Sequence, residues 1–193
     1  MSRRHAAVFD GIYNPRVTTT TGRHAVALLV EDGFDDRQVT GLIESLTAHV
    51  EVVPIGPVAP RTYTGHHGLG TVVSQLTPAS ARSQTFAVLV IPGGSAPDRL
   101  RMRHAVLDMV RDAVAAGCPV AAIGHGAQVL ISALVLAGRT VTSWPSIAID
   151  VKNAGGLYVD RPVVEDGGLI TSRKADDLPQ FVDAILRAVV RRN

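Results

Sequence analysis

Short runs that are apolar from end to end constrain this chain most. "HAVALLV" (24–30), "FAVLVIPGG" (86–94) and "PVAAIG" (119–124) show no alternation of apolar and polar residues. A strand made from such a run hides both of its faces, as strands do in a parallel sheet covered by helices on either side. Segments of helical period lie between the runs. "RQVTGLIESLTAH" sets Val39, Leu42, Ile43 and Leu46 on one face, behind the acidic turn "EDGFDD". "PDRLRMRHAVLDMVRDAVAAG" starts with proline and ends with glycine, which predicts a single helix. "AQVLISALVLAG" follows "PVAAIG" as the next helix. Strand and helix alternating in this way predict an α/β fold: a doubly wound sandwich around a mostly parallel central sheet.

The remaining segments extend the pattern. "VEVVPIG" reads as a second strand, and "RTYTGHHGLGTVVSQL" as short hairpin-like strands interrupted by glycines. "TVTSWPSIAIDVKNAGG" supplies a short strand and a helix. In "YVDRPVVEDGGLITSR" the Asp166-Gly167 pair predicts a hairpin turn. "DDLPQFVDAILRAVVRR" is a closing helix with cations in its last turn, where the helix dipole favours them. Residues 1–23, with a threonine run and Pro15, have neither period and are expected to form an irregular arm, leaving 24–193 as one domain.

At 193 residues, 46% hydrophobic and 19% charged, the chain suits a single globular core. A net charge of +2 without a basic stripe argues against a nucleic-acid partner. No stretch approaches the roughly 18 apolar residues of a membrane span, and the amino-terminal residues lack the apolar core of a signal peptide. The lone cysteine, Cys118, excludes an internal disulfide and fits a reducing, cytoplasmic compartment. His66 and His67 sit next to each other on a segment read as extended, so their rings are expected on opposite faces. No further Cys, His or carboxylate spacing completes a site, so neither a metal nor another cofactor is expected.

Ligands of such sheets sit beyond the carboxyl ends of the strands. Three of those ends are glycine-rich or polar: "VEDGFDD", "IPGGSAPD" and "AIGHGAQ". Together with "GHHG", "VLVIPGGSAPDRLR", "VTSWPSIAIDVKNAGGLYVDRPVVEDGGLITSR" and "DLPQFVDAIL", they make the chain resemble the PfpI-type members of the ThiJ/PfpI superfamily, often named intracellular proteases or amidases. The resemblance runs in order from about residue 24 to 190.

The resemblance implies a flavodoxin-like sandwich that assembles as a dimer or hexamer, with its active site near a subunit boundary. It also implies a cysteine in the pattern A-I-C-H-G, held on a sharp strand-to-helix turn and activated by the helix that follows. In this sequence the elbow position is Gly124 and the adjacent histidine is His125. The loop carboxyl falls on Asp35, and the acidic residue that can reach a neighbouring subunit on Asp98, both aspartate where glutamate is usual. Gly93, Gly94 and Gly126 line the expected oxyanion or ligand site, with the Gly94 and His125 N–H groups as donors.

The elbow therefore carries no nucleophile. Cys118 lies six positions earlier on the same strand and, at about 3.3 Å per residue, near the opposite edge of the sheet. Glycine relieves the backbone strain typical of such a turn. His125 has a second reading as a helix cap or subunit bridge, and Asp35 as a plain helix-start acid with Asp36 an equally good cap. Three roles follow in order of expectation. The first is a non-nucleophilic homologue that binds a small carbonyl or carboxylate metabolite. The second is a repurposed hydratase, lyase or cyclase using Asp35 and His125 as acid and base. The third is the family's own amidase, peptidase or deglycase chemistry.

Overall fold

Every fully apolar run becomes a strand of one sheet. In the computed structural model, which describes residues 12–13, 25–82 and 84–192, the chain forms β1 (Ile12–Tyr13), β2 (Ala25–Leu29), α1 (Asp36–Thr47), β3 (Glu51–Ile55), β4 (Arg61–Thr64), β5 (Thr71–Ser74), α2 (Pro78–Ala81) and β6 (Val88–Ile91). It continues through α3 (Ala96–Leu100), α4 (His104–Ala115), β7 (Val120–Ile123), α5 (Ala127–Ser132), β8 (Thr140–Val141), α6 (Ala148–Asn153), β9 (Leu157–Tyr158), β10 (Val163–Asp166), β11 (Leu169–Ser172) and α7 (Leu178–Arg192).

The central sheet has the order β10-β11-β7-β6-β2-β3. All neighbours are parallel except β10 and β11. This is the α/β fold with a mostly parallel sheet that the alternation predicted. The side-chain period of two divides the core into two layers. Val26, Leu28 and Val30 face α1 and α7, where Leu42, Ile43, Phe181 and Ile185 meet them. Ala25, Ala27 and Leu29 face the other way, toward Val106 and Val110 of α4 and Val129 and Leu130 of α5. Each fully buried Leu or Ile contributes about 2 kcal/mol relative to exposure, so a one-residue register slip would forfeit a whole layer.

Three readings need correction. The helix expected across 97–117 is two, α3 and α4, broken at Arg101–Arg103. A continuous helix would align Ala96, Leu100, Arg103, Leu107 and Val110 on one stripe and press a guanidinium into the core; the break leaves Arg103 exposed. The expected irregular arm contains β1, which pairs in parallel with β5 (Ile12 opposite Thr71), while Tyr13 Oη donates to the Val52 carbonyl at 3.3 Å. The rest of residues 1–23 lies outside the described residues. The β10–β11 turn is Gly167-Gly168, one residue later than expected, with φ of +56° and +87° closing Asp166 onto Leu169. Two positive φ values favour glycine at both positions.

The path leaves β2 for β3 on one side and returns to β6 on the other. This switch point opens a crevice at the strands' carboxyl ends, where the loops after β2, β6 and β7 meet. Among the described residues, no helix is long and apolar enough to cross a membrane.

Candidate functional site

The loops after β2 and β6 are clasped backbone to backbone. Phe34 bridges Gly94 in antiparallel fashion. Asp35 N–H donates to the Gly93 carbonyl at 3.1 Å, and Ser95 N–H to the Gly33 carbonyl at 2.8 Å. Arg99 adds a guanidinium hydrogen bond to the Asp32 carbonyl. At Gly94, φ is +84° and a Cβ would lie 2.4 Å from the Gly33 carbonyl oxygen, so the approach requires glycine.

The elbow stands beside this clasp. Ile123 ends β7 in extended conformation, Gly124 turns the chain at φ +62°, and residues 124–126 form a 3₁₀ turn leading into α5. Gly126 passes under β6 so closely that a Cβ would come within 2.3 Å of the Ile91 carbonyl oxygen. A Cβ on Gly93 would lie 3.0 Å from the Ile123 carbonyl oxygen and 3.2 Å from the His125 nitrogen. The structure thus brings Gly93, Gly94, Gly124, His125 and Gly126 to one place.

His125 is half-buried beside Trp144, ring centroids 6.0 Å apart, and its Nε2 lies 3.4 Å from Ser146 Oγ. Burial pushes its pKa below the ordinary imidazole value. The neutral ring is therefore the prevailing form at neutral pH, with one nitrogen free to accept a proton.

The acidic residues fall into different places. Asp35 caps α1, its Oδ1 accepting from Gln38 N–H at 3.0 Å. Asp36 is not an alternative cap. Its buried carboxylate accepts the N–H groups of His67, Leu69 and Gly70 at 2.8, 2.9 and 3.0 Å and pins the 65–70 turn. That turn corrects the reading of the histidine pair, since His66 and His67 are not on an extended segment and their rings meet edge to face at 4.9 Å. Asp98 is exposed in the first turn of α3, and no hydrogen bond or ion pair among the described residues joins its carboxylate to His125. Cys118 precedes β7 at the end away from the elbow. Its Sγ lies 3.4 Å from the Phe86 carbonyl oxygen, and burial raises its pKa.

The side chain that does reach the elbow is one the sequence reading missed. Gln38, 4% exposed, accepts the Gly93 N–H on Oε1 at 2.7 Å. Its Nε2 lies 3.2 Å from the point where a Cβ on Gly124 would stand. A signal was present: Gln38 is a polar residue on the same helical face as Val39 and Leu42, where it is buried with them.

An open, mostly parallel α/β sheet with a glycine-lined strand-turn-helix elbow at its switch point defines a class, the flavodoxin-like proteins that carry an elbow-type site. Within it, the chain belongs to the DJ-1/PfpI family, whose model matches residues 24–188. It is 41% identical over 169 residues to protein/nucleic acid deglycase 2 of Escherichia coli, covering 84% of this chain and 95% of that protein. It is 37% identical to deglycase PfpI of Pyrococcus furiosus, covering 79% and 92%. Among solved structures, a two-domain protein from Anabaena variabilis with DJ-1/ThiJ/PfpI-like and ferritin-like domains superposes with a TM-score of 0.83 at 37% identity, over 86% of this chain and 48% of that one. Drosophila melanogaster DJ-1beta shares the fold at a TM-score of 0.80 and 24% identity, over 89% and 96%.

These relatives overturn the first functional expectation. A role confined to non-covalent metabolite binding was expected because the elbow keeps its glycine pair and helix N-terminus while Gly124 removes the nucleophile, yet similar proteins along nearly their whole length are named deglycases. The reading placed last is the one the relatives favour.

Proposed function

We propose that this chain is a deglycase-class enzyme that removes early carbonyl adducts from amines without using a thiol. The observation that carries the reading is the 41% identity extending over 95% of E. coli protein/nucleic acid deglycase 2. The chemistry of the first adduct makes glycine at the elbow compatible with it. A hemiaminal, N–CH(OH)–, reverts when the hydroxyl gives up its proton, the oxygen's electrons form C=O, the C–N bond breaks, and the proton is delivered to nitrogen. Aldehyde and amine together account for every atom, and a positioned base that returns its proton suffices.

Neutral His125 is suited to take that proton and pass it on. The Gly94 and His125 N–H groups in the glycine-lined turn are suited to the oxygen as charge develops on it. Asp35 acts one step back, as the cap that sets the start of α1 and with it Gln38. Asp98, exposed at the head of α3, is proposed to contact a second copy of the chain, and the lone cysteine supports a cytoplasmic setting.

Amine release from methylglyoxal-treated Nα-acetyl-lysine tests the proposal. The wild type should release amine together with free methylglyoxal, and His125→Ala should lose about a hundredfold of the rate. A wild-type rate equal to that of buffer ends the reading.

A further inference from the structure

Resting on that reading, the geometry points to Trp144 as the residue that chooses among adducts. Its exposed indole stacks on the planar guanidinium of an arginine adduct whose hemiaminal lies against His125, so that arginine adducts are released in preference to lysine adducts.

The side chain stands apart from the other large aromatic residues. Phe34, Tyr63, Phe86 and Phe181 are buried, whereas Trp144 is 40% exposed. The backbone fixes where it stands. Trp144 N–H donates to the Gly124 carbonyl at 3.3 Å, and the Trp144 carbonyl accepts the Ile147 N–H and the Ser143 hydroxyl, each at 3.1 Å. Pro145 opens the 3₁₀ turn that follows. The residue is thereby tied to the elbow itself, with its ring centroid 6.0 Å from that of His125 and the two planes 34° apart.

This placement suits one kind of amine. In the hemiaminal of arginine, three bonds separate the hydroxyl oxygen from the guanidinium carbon. With that hydroxyl about 2.9 Å from a ring nitrogen of His125, the guanidinium comes within reach of the indole face, which holds a cation out to about 6 Å from the ring centroid. The guanidinium is flat, stays charged in the adduct and stacks on aromatic faces. The lysine adduct puts a tetrahedral nitrogen and a methylene chain at the same place and has no plane to stack. Burial lowers the His125 pKa with no charged side chain among the described residues adding to the shift, so recognition of a cation here falls to the indole face rather than to an ion pair. The proton path is unchanged: the hydroxyl proton passes to His125 and then to the guanidine nitrogen as the C–N bond breaks, leaving guanidinium and aldehyde.

Trp144 is the chain's one tryptophan, so its fluorescence reads the contact directly. Nα-acetyl-arginine amide titrated into the wild-type protein at pH 8 should change the emission along a saturating curve, and Nα-acetyl-lysine amide should need about tenfold more to do so. Equal curves, or no change with either probe, overturn the contact. Turnover gives a second readout. Release of unmodified amino acid from methylglyoxal-treated Nα-acetyl-arginine and Nα-acetyl-lysine, each divided by its rate in buffer, should favour arginine by about tenfold in kcat/KM. Trp144→Leu should bring that ratio close to one, mainly through a higher KM for the arginine adduct, and Trp144→Phe, which keeps a flat face, should retain part of it. A loss shared equally by both adducts would mean that Trp144 only supports the fold, and it overturns the proposal. If the arginine probe titrates Trp144 while the wild type releases neither amino acid, the contact stands and the deglycase reading falls. If both adducts are released with equal enhancement and the emission does not move, the deglycase reading stands and the contact falls.

Discussion

Strand β7 offers a comparison within one element. At its carboxyl end Gly124 occupies the turn at φ +62°, clasped between the β6 loop and α5 and lacking a side chain. Just before its other end Cys118 supplies the chain's one thiol, leading into the strand from the turn at Gly117 rather than standing on a strand-to-helix elbow, and with burial raising its pKa. One end has the geometry for chemistry and the other has the sulfur. A thiol's reactivity comes from the groups that stabilise the thiolate and aim it. Cysteine without that setting behaves as a small, half-buried apolar residue, and the setting without cysteine can still handle protons and oxyanions.

The comparison breaks most completely if the clasp is not what shapes the elbow end. Gly94→Ala drives a methyl to within 2.4 Å of the Gly33 carbonyl oxygen and 2.5 Å of the Asp35 nitrogen at a φ of +84°. Strain and overpacking together should cost about 3 kcal/mol or more. Urea denaturation should show it, with loss of adduct-releasing activity in whatever remains folded. A stability within 1 kcal/mol of wild type, allowing about that much for measurement and context, would mean that the loop is free to move aside.

Gly124→Cys places sulfur at the elbow and so sets the two ends against each other in one molecule. A side chain at φ +62° should cost about 1–2 kcal/mol, and its Cβ would crowd Gln38 Nε2 at 3.2 Å. The new thiol should nevertheless react with iodoacetamide about tenfold faster than Cys118, measured by mass mapping of the two peptides. Faster alkylation of Cys118 would overturn the account of what the elbow provides.

How much of this was legible beforehand depends on range. Val26, Leu28 and Ala27 announced a strand buried on both faces because the information is local, and the glycines of "IPGG" and "GHG" marked the turns because backbone conformation is local too. Gln38 could not be read in the same way. Its place on the apolar face of α1 beside Val39 and Leu42 marks it as buried, but its partner Gly93 is 55 positions away, and nothing in "RQVTGL" says that it is aimed at the elbow. Asp36 has the same history, since the N–H groups it holds are 31 to 34 residues distant. The break at Arg101–Arg103 has a local mark, a cation on an otherwise apolar stripe, which the terminal proline and glycine of the segment do not reveal. The deglycase reading lay beyond residue-level reasoning, because a missing sulfur argues against one mechanism and does not name a substrate.

Cys118→Ala should do little, and that sharpens the contrast. The lost sulfur contact with the Phe86 carbonyl at 3.4 Å is weak, so stability should change by less than about 1 kcal/mol and adduct release should be unaffected. A large loss of turnover would place the chemistry at the wrong end of the strand.

The smallest effect expected is the most specific to the elbow end. Burial lowers the His125 pKa in the folded chain, so as pH falls the unfolded chain binds this proton first. Stability contributed by the neutral ring is complete above the unfolded value, about 6.5, and declines between there and the lower folded value. The residue is only half-buried, so the slope is shallow. Denaturation midpoints from pH 5 to 8 should rise gently with pH in the wild type across that window, and this component should vanish in His125→Gln. A midpoint rising instead as pH falls would mean that the imidazolium is the form stabilised in the fold, and the ring could not then serve as the base beside the glycine elbow.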